Sequence, residues 1–149
     1  MTTLCQQQLQ NLKKQCGKQQ VLIFIPVHIK GTIVLKFSDF DFDNDVLDGI
    51  ESMGYENATP VQEQVIPLIL DGRDIIASAQ TGTGKTAAFL LPLIQNIIDH
   101  TNNDHSVNAM IIVPTRELAV QIVQTLEGIS YYTSISCIAV YGGGSGDAF

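Results

Sequence analysis

The sequence predicts an α/β fold, a parallel sheet with flanking helices, from three observations. Apolar, β-prone runs of strand length stand at residues 74–79, 109–113 and 136–141. The stretches between them carry apolar residues at helical spacing, and each is long enough to cross over the sheet, as parallel strands require. A glycine-rich turn joins the first run to the helix after it, a junction common in α/β folds.

Taken in order, the elements begin with a segment unlike the rest. Residues 3–20 are rich in Gln and Lys with few apolar residues at helical spacing, so a frayed helix or disorder is expected. Residues 21–25 and 32–35 are β-prone runs broken by a bend containing Pro26 and Gly31. They read as a hairpin that nothing downstream requires. Residues 1–36 are therefore taken as a leader and residues 37–149 as one domain. Asn44 or Asp45 is the expected cap of a helix reaching about Met53, with Val46, Leu47 and Ile50 on one face and Gly54 at its end. Thr59 caps the next helix, with Pro60 where a missing N–H costs nothing. Val61, Val65, Ile66, Ile69 and Leu70 form its apolar face, and Gly72 closes it. Further helices are expected over residues 84–98 and 116–127. The last strand runs into Gly142, Gly143 and Gly144, so the domain reads as incomplete at its C-terminal end.

Composition narrows the function. With 149 residues, 45% of them apolar and 15% charged, the chain suits one globular domain and not a disordered tail. A net charge of −7 has the wrong sign for binding nucleic acid through the overall field. Any such contact must be local, through backbone amides and a few basic side chains. Cys5, Cys16 and Cys137 are odd in number and lack CxxC spacing, which argues against a disulfide framework and a zinc site and suits a reducing cytoplasm. His28, His100 and His105 show no ligand spacing. No apolar run reaches the roughly 18 residues of a membrane helix, and no signal-peptide pattern is present.

The chemistry centres on Ala79-Gln80-Thr81-Gly82-Thr83-Gly84-Lys85-Thr86, placed between an expected strand and an expected helix. That is the setting of a P-loop. Gly82 and Gly84 let the chain turn so that successive N–H groups face one cavity, and the helix adds its positive end. Lys85 supplies a point charge for the β- and γ-phosphates, and Thr86 a hydroxyl ligand for Mg²⁺. The strict pattern opens with Gly where this chain has Ala79. A plain glycine turn with a solvated Lys85 is the competing reading, and the strand–loop–helix placement favours phosphate.

The surrounding motifs resemble those of DEAD-box RNA helicases. Phe37, followed by Gly54-Tyr55-Glu56-Asn57-Ala58-Thr59-Pro60-Val61-Gln62, looks like the family's Q motif. Ala79 to Thr86 match its motif I, where an opening Ala is usual. Pro114-Thr115-Arg116-Glu117-Leu118-Ala119 match motif Ia, and Gly142-Gly143 sit where the family has its GG element. Ala58 and Val61 depart mildly from the commoner Pro and Ile. The resemblance implies a RecA-like domain in which Gln62 reads adenine, Tyr55 stacks on the base and Phe37 supports that pocket. It also implies that Pro114, Thr115, Arg116, Glu117, Gly142 and Gly143 face an RNA backbone without reading its sequence. A Gln amide does carry donors and an acceptor that match the adenine edge. Taken alone, Gln62 is equally an exposed polar residue, Tyr55 a half-buried aromatic past a helix end, Thr115 an N-cap, Arg116 a solvated charge and the glycines a turn.

The expected function is thus the ATP- and Mg²⁺-binding part of an ATP-dependent RNA helicase, with Lys85 and Thr86 its catalytic contribution. The sequence contains no Asp-Glu-Ala-Asp and no Ser-Ala-Thr, and by the resemblance activity requires a second RecA-like domain. The alternative is a nucleotide- or RNA-binding fragment without catalysis. Starting the chain at Lys36 is expected to leave nucleotide binding intact.

Overall fold

Thr59 and Pro60 open the helix that organises the structure, a computed structural model that describes the backbone of Ile23–Ile25 and the whole of residues 35–100 and 107–142. The expected frayed helix at residues 3–20 lies outside the described residues, as do residues 32–34 and Gly143. The described elements, in order, are β1 (Ile23–Ile25), a 3₁₀ turn (Phe37–Asp39), α1 (Asn44–Ser52), α2 (Pro60–Leu70), β2 (Ile75–Ala77), α3 (Lys85–His100) and α4 (Arg116–Ile129).

Local chemistry fixes the helix ends. Asp43, one residue ahead of the expected caps, starts α1, and its side chain accepts a hydrogen bond from Asp45 N at 3.0 Å. Gln95, buried in α3, accepts a further bond from Asp43 N at 2.7 Å and so ties the start of α1 to the core. Gly54 and Gly72 follow α1 and α2 with φ of 73° and 71°, a backbone state that a β-carbon disfavours.

The core lies among the helices. Ile50 of α1, Ile66 of α2, Leu90, Leu91 and Ile94 of α3 and Ile129 of α4 are fully buried, each contributing about 1.5–3 kcal/mol of transfer free energy. α1 and α4 approach closely at Gly49, where a β-carbon would lie 1.8 Å from Ile129 O. Phe37 drops from its 3₁₀ turn into the same core. The segment just before it is also held. Leu35 N donates to Glu63 Oε1 at 3.2 Å, Ala58 N donates to Leu35 O at 2.9 Å, and Lys36 bridges Asn57 antiparallel.

The strands add one pairing and lack others. The expected hairpin of residues 21–25 and 32–35 lies largely outside the described residues. Among those described, β1 runs parallel to β2, with Ile23 opposite Ile75, Phe24 opposite Ile76 and Ile25 opposite Ala77. β2 lies on the helical core and offers β1 a ladder edge that is already held in place.

Residues 109–113 and 136–141, the other expected strands, form no ladder among the described residues. They keep the two-residue alternation of a strand. Ile111, Val113, Ile135 and Cys137 pack towards the helices, while Met110, Ile112, Ile138 and Val140 are about four-fifths exposed. Period-two patterning reports which side chains face the core. The ladder itself depends on neighbours in the third dimension, and these two segments have only their inward packing.

Candidate functional site

The glycine loop leaves β2 and enters α3 as the sequence requires. Gly82 and Gly84 both have φ of 81°, and Gly84 is doubly constrained, because a β-carbon there would lie 2.6 Å from Gln62 Nε2. Thr83 Oγ1 donates to Gln80 O at 2.8 Å, closing the turn from within. Lys85 is half-buried, and its ammonium donates to the carbonyls of Ala79 and Gln80 at the strand end of the loop. The loop thus holds its own cation against its strand end, next to exposed Gln80, Thr81 and Gly82.

The other end of the loop is held by α2. Gln62 is buried, not an exposed polar residue. Its Oε1 accepts from Thr59 N at 2.8 Å, and its Nε2 donates to Gly84 O at 3.1 Å. Thr59 Oγ1 donates to Thr83 O at 2.8 Å. The first turn of α2 therefore positions the last two loop residues before α3. An amide carries two N–H donors and a carbonyl with two lone pairs, so Gln62 keeps one donor and one acceptor site beyond these bonds.

Tyr55 and Phe37 meet beside this turn, with ring centroids 6.2 Å apart and planes inclined at 35°. Phe37 is buried and Tyr55 half-buried, so Phe37 can brace Tyr55 but presents little surface of its own to a ligand. Thr86 lines a cleft of about 350 Å³ with Met53, Leu118, Gln121, Ile122, Gln124 and Thr125. Its side of α3 is therefore open towards α4. Among the described residues no three His, Cys, Asp or Glu side chains gather into a metal cluster.

Further along the chain, Thr115 caps α4, its hydroxyl accepting from Leu118 N at 3.2 Å. Pro114, Thr115, Arg116 and Glu117 are exposed. Arg116 is not simply solvated. Its guanidinium donates to Gly142 O and sits 5.5 Å from the Tyr141 ring centroid, a cation–π distance. The two expected RNA-facing segments are thereby brought together, apart from Gly143. Nearby, burial and then the Glu127 carboxylate push the Cys137 thiol above its ordinary range.

Sequence reasoning missed three contributors. Thr59 was read only as a cap, although Thr59-Pro60-Val61-Gln62 is the capping-box spacing that pairs the first residue with the fourth. Tyr141 and Gln95 carried no motif, since their partners Arg116 and Asp43 are distant in sequence.

The DEAD/DEAH box helicase family matches residues 59–148. The ATP-dependent RNA helicase CshA of Listeria monocytogenes is 52% identical over 108 residues, which is 72% of this chain and 20% of that protein. The chain thus spans about a fifth of that relative. Among solved structures, the RNA helicase Prp28 of Chaetomium thermophilum bound to ADP gives a TM-score of 0.65 at 35% identity, covering 78% of this chain and 30% of that one. A Dbp5 variant of S. cerevisiae bound to RNA and ADP BeF3 gives 0.62 at 33%, covering 67% and 25%. The fold is accordingly that of a RecA-like helicase domain, present in part. The family's pattern runs from the first turn of α2 through the glycine loop to the glycines beyond Tyr141, and the chain belongs to the DEAD/DEAH box helicase family.

Proposed function

We propose that this chain carries the adenine- and phosphate-binding part, and part of the RNA-facing edge, of an ATP-dependent RNA helicase. The observation that carries this reading is the buried Gln62, which joins the motif expected to read the base to the loop expected to hold the phosphates. Its spare donor and acceptor suit the N7 and N6 groups of adenine, with Tyr55 stacking and Phe37 behind it. The amides of Gln80, Thr81, Gly82, Thr83 and Gly84 and the start of α3 hold phosphate oxygens. Lys85 then exchanges the carbonyls of Ala79 and Gln80 for the β- and γ-phosphates. Thr86 fits Mg²⁺ as one hydroxyl ligand, and the ion, when bound, neutralises developing phosphate charge. Thr115, Arg116 and the amides of the first turn of α4 meet an RNA backbone from Pro114 to Glu117, together with Gly142 and Gly143, by charge and N–H groups that carry no sequence preference. Turnover requires groups beyond these, including a second RecA-like domain. The chain by itself is a binding unit.

The test is competitive binding of ATP and GTP to the full chain. Gln62→Ala is expected to weaken ATP more than GTP, by roughly 1–3 kcal/mol for a lost buried polar contact. Lys85→Ala is expected to weaken both alike. Small, equal effects of Gln62→Ala on the two nucleotides would remove adenine reading from this residue.

A further inference from the structure

The strand that leads into the glycine loop is short, and its backbone support comes from an unexpected place. Side chains hold it on one side, where Ile75 and Ala79 pack against Val61 and Val65 of α2 and Ala88 of α3. Its ladder is another matter. Among the described residues the sheet has two strands, and the only ladder partner of β2 is β1. The family's match begins at residue 59, so β1 lies ahead of the matched residues.

The loop is anchored at two ends by different means. Its helix end is fixed by Thr59 and Gln62 through the carbonyls of Thr83 and Gly84. Its strand end, where Ala79 and Gln80 present the carbonyls that hold Lys85, follows directly from β2. The direction of β2 therefore sets where those carbonyls, and the amides after them, point. We infer that Ile23–Ile25 is a positioning strand for the nucleotide site, and that its ladder with β2 raises nucleotide affinity by holding the strand end of the loop. This rests on the nucleotide-binding reading above. It revises the expectation that nothing downstream requires residues 21–25, and with it the expectation that a chain starting at Lys36 binds nucleotide unchanged.

In a parallel pair, successive residues turn their N–H groups alternately towards the partner and away from it. Of Phe24→Pro and Ile25→Pro, then, one removes a donor from the β1–β2 ladder and the other removes an N–H that faces away. Both are made in the full chain, with Phe24→Leu as the variant that keeps every N–H. Three readouts are taken: affinity for a non-hydrolysable ATP analogue, amide hydrogen exchange at Ile75, Ile76 and Ala77, and helix content by circular dichroism. The ladder-breaking proline is expected to weaken the analogue about two- to tenfold, the range of one hydrogen bond. It should also speed exchange in β2 and leave helix content unchanged. The other proline and Phe24→Leu should stay near the parent in affinity. Unchanged affinity in both proline variants, or affinity lost only in step with helix content, overturns the proposal. Lys85→Ala in the same assay separates the two readings. If it leaves binding unchanged, the phosphate-loop assignment is at fault, while exchange in β2 still reports on the ladder independently.

Discussion

Two regions of the molecule are built to different degrees. The glycine loop, proposed to hold nucleotide, is tied at both ends: Gln62 on Gly84, Thr59 on Thr83, Thr83 on Gln80, and Lys85 on Ala79 and Gln80. In the region proposed to meet RNA, residues 109–113 and 136–141 pack by one face only, and their outward residues Met110, Ile112, Ile138 and Val140 are exposed. The difference teaches that a glycine loop can be organised by two helices and a short strand. Segments patterned as strands need the rest of their sheet.

This comparison is sharpened most by catalysis. Binding groups that act equally on substrate and transition state do not accelerate chemistry, and an arginine finger alone is commonly worth about 10³–10⁵ in rate in P-loop enzymes. The purified chain is therefore expected to bind adenine nucleotide with no RNA-stimulated turnover. The check is phosphate release with and without RNA. RNA-stimulated release that Lys85→Ala abolishes would mean that the chain builds a water-activating site of its own.

A smaller effect separates the two regions by stability. Leu90→Ala, in the core beneath the loop, should cost about 2–5 kcal/mol. Ile112→Ala, on the open face, should stay within about 0.5 kcal/mol of the parent. Denaturant midpoints measure both, and comparable losses would show that the outward face is covered in solution.

The smallest effect concerns Cys137. Its thiol is held above the ordinary range by burial first and the Glu127 carboxylate second. The folded chain thus favours the protonated thiol. That contribution to stability is complete below the pKa of an unfolded cysteine and is lost as pH rises through the higher folded value. Alkylation of Cys137, followed by mass spectrometry to set aside Cys5 and Cys16, should have its midpoint at higher pH than free cysteine. Glu127→Gln should lower that midpoint only partly. A midpoint at or below that of free cysteine would contradict the half-buried placement of Cys137.

Much of this was legible from residue types at fixed spacing. The Thr59 cap, the glycines with positive φ, the apolar faces of α1 and α2 and the turn of the glycine loop each follow from local chemistry. Gly54, Gly72, Gly82 and Gly84 all take the conformation that glycine is used for. What stayed hidden was decided by partners far along the chain. The β-prone residues 21–25 gave no hint that β2 was their partner, because a three-residue ladder leaves no periodic trace. The motif marks Gln62 as the expected base reader, but its burial depends on Gly84 lying against it. Residues 109–113 and 136–141 displayed the correct inward face, while hydrogen bonding between strands is not written in alternation.

Gly49 has a mechanical consequence. Since even one carbon at that position would collide with the carbonyl of Ile129, α1 and α4 meet backbone to backbone at this one point. Such a joint has almost no slack, and position 49 admits a one-letter alphabet. The chain leaving α1 leads to Tyr55, and α4 starts at Thr115. A wedge driven in at residue 49 would therefore be felt at both Tyr55 and Thr115, although it touches neither.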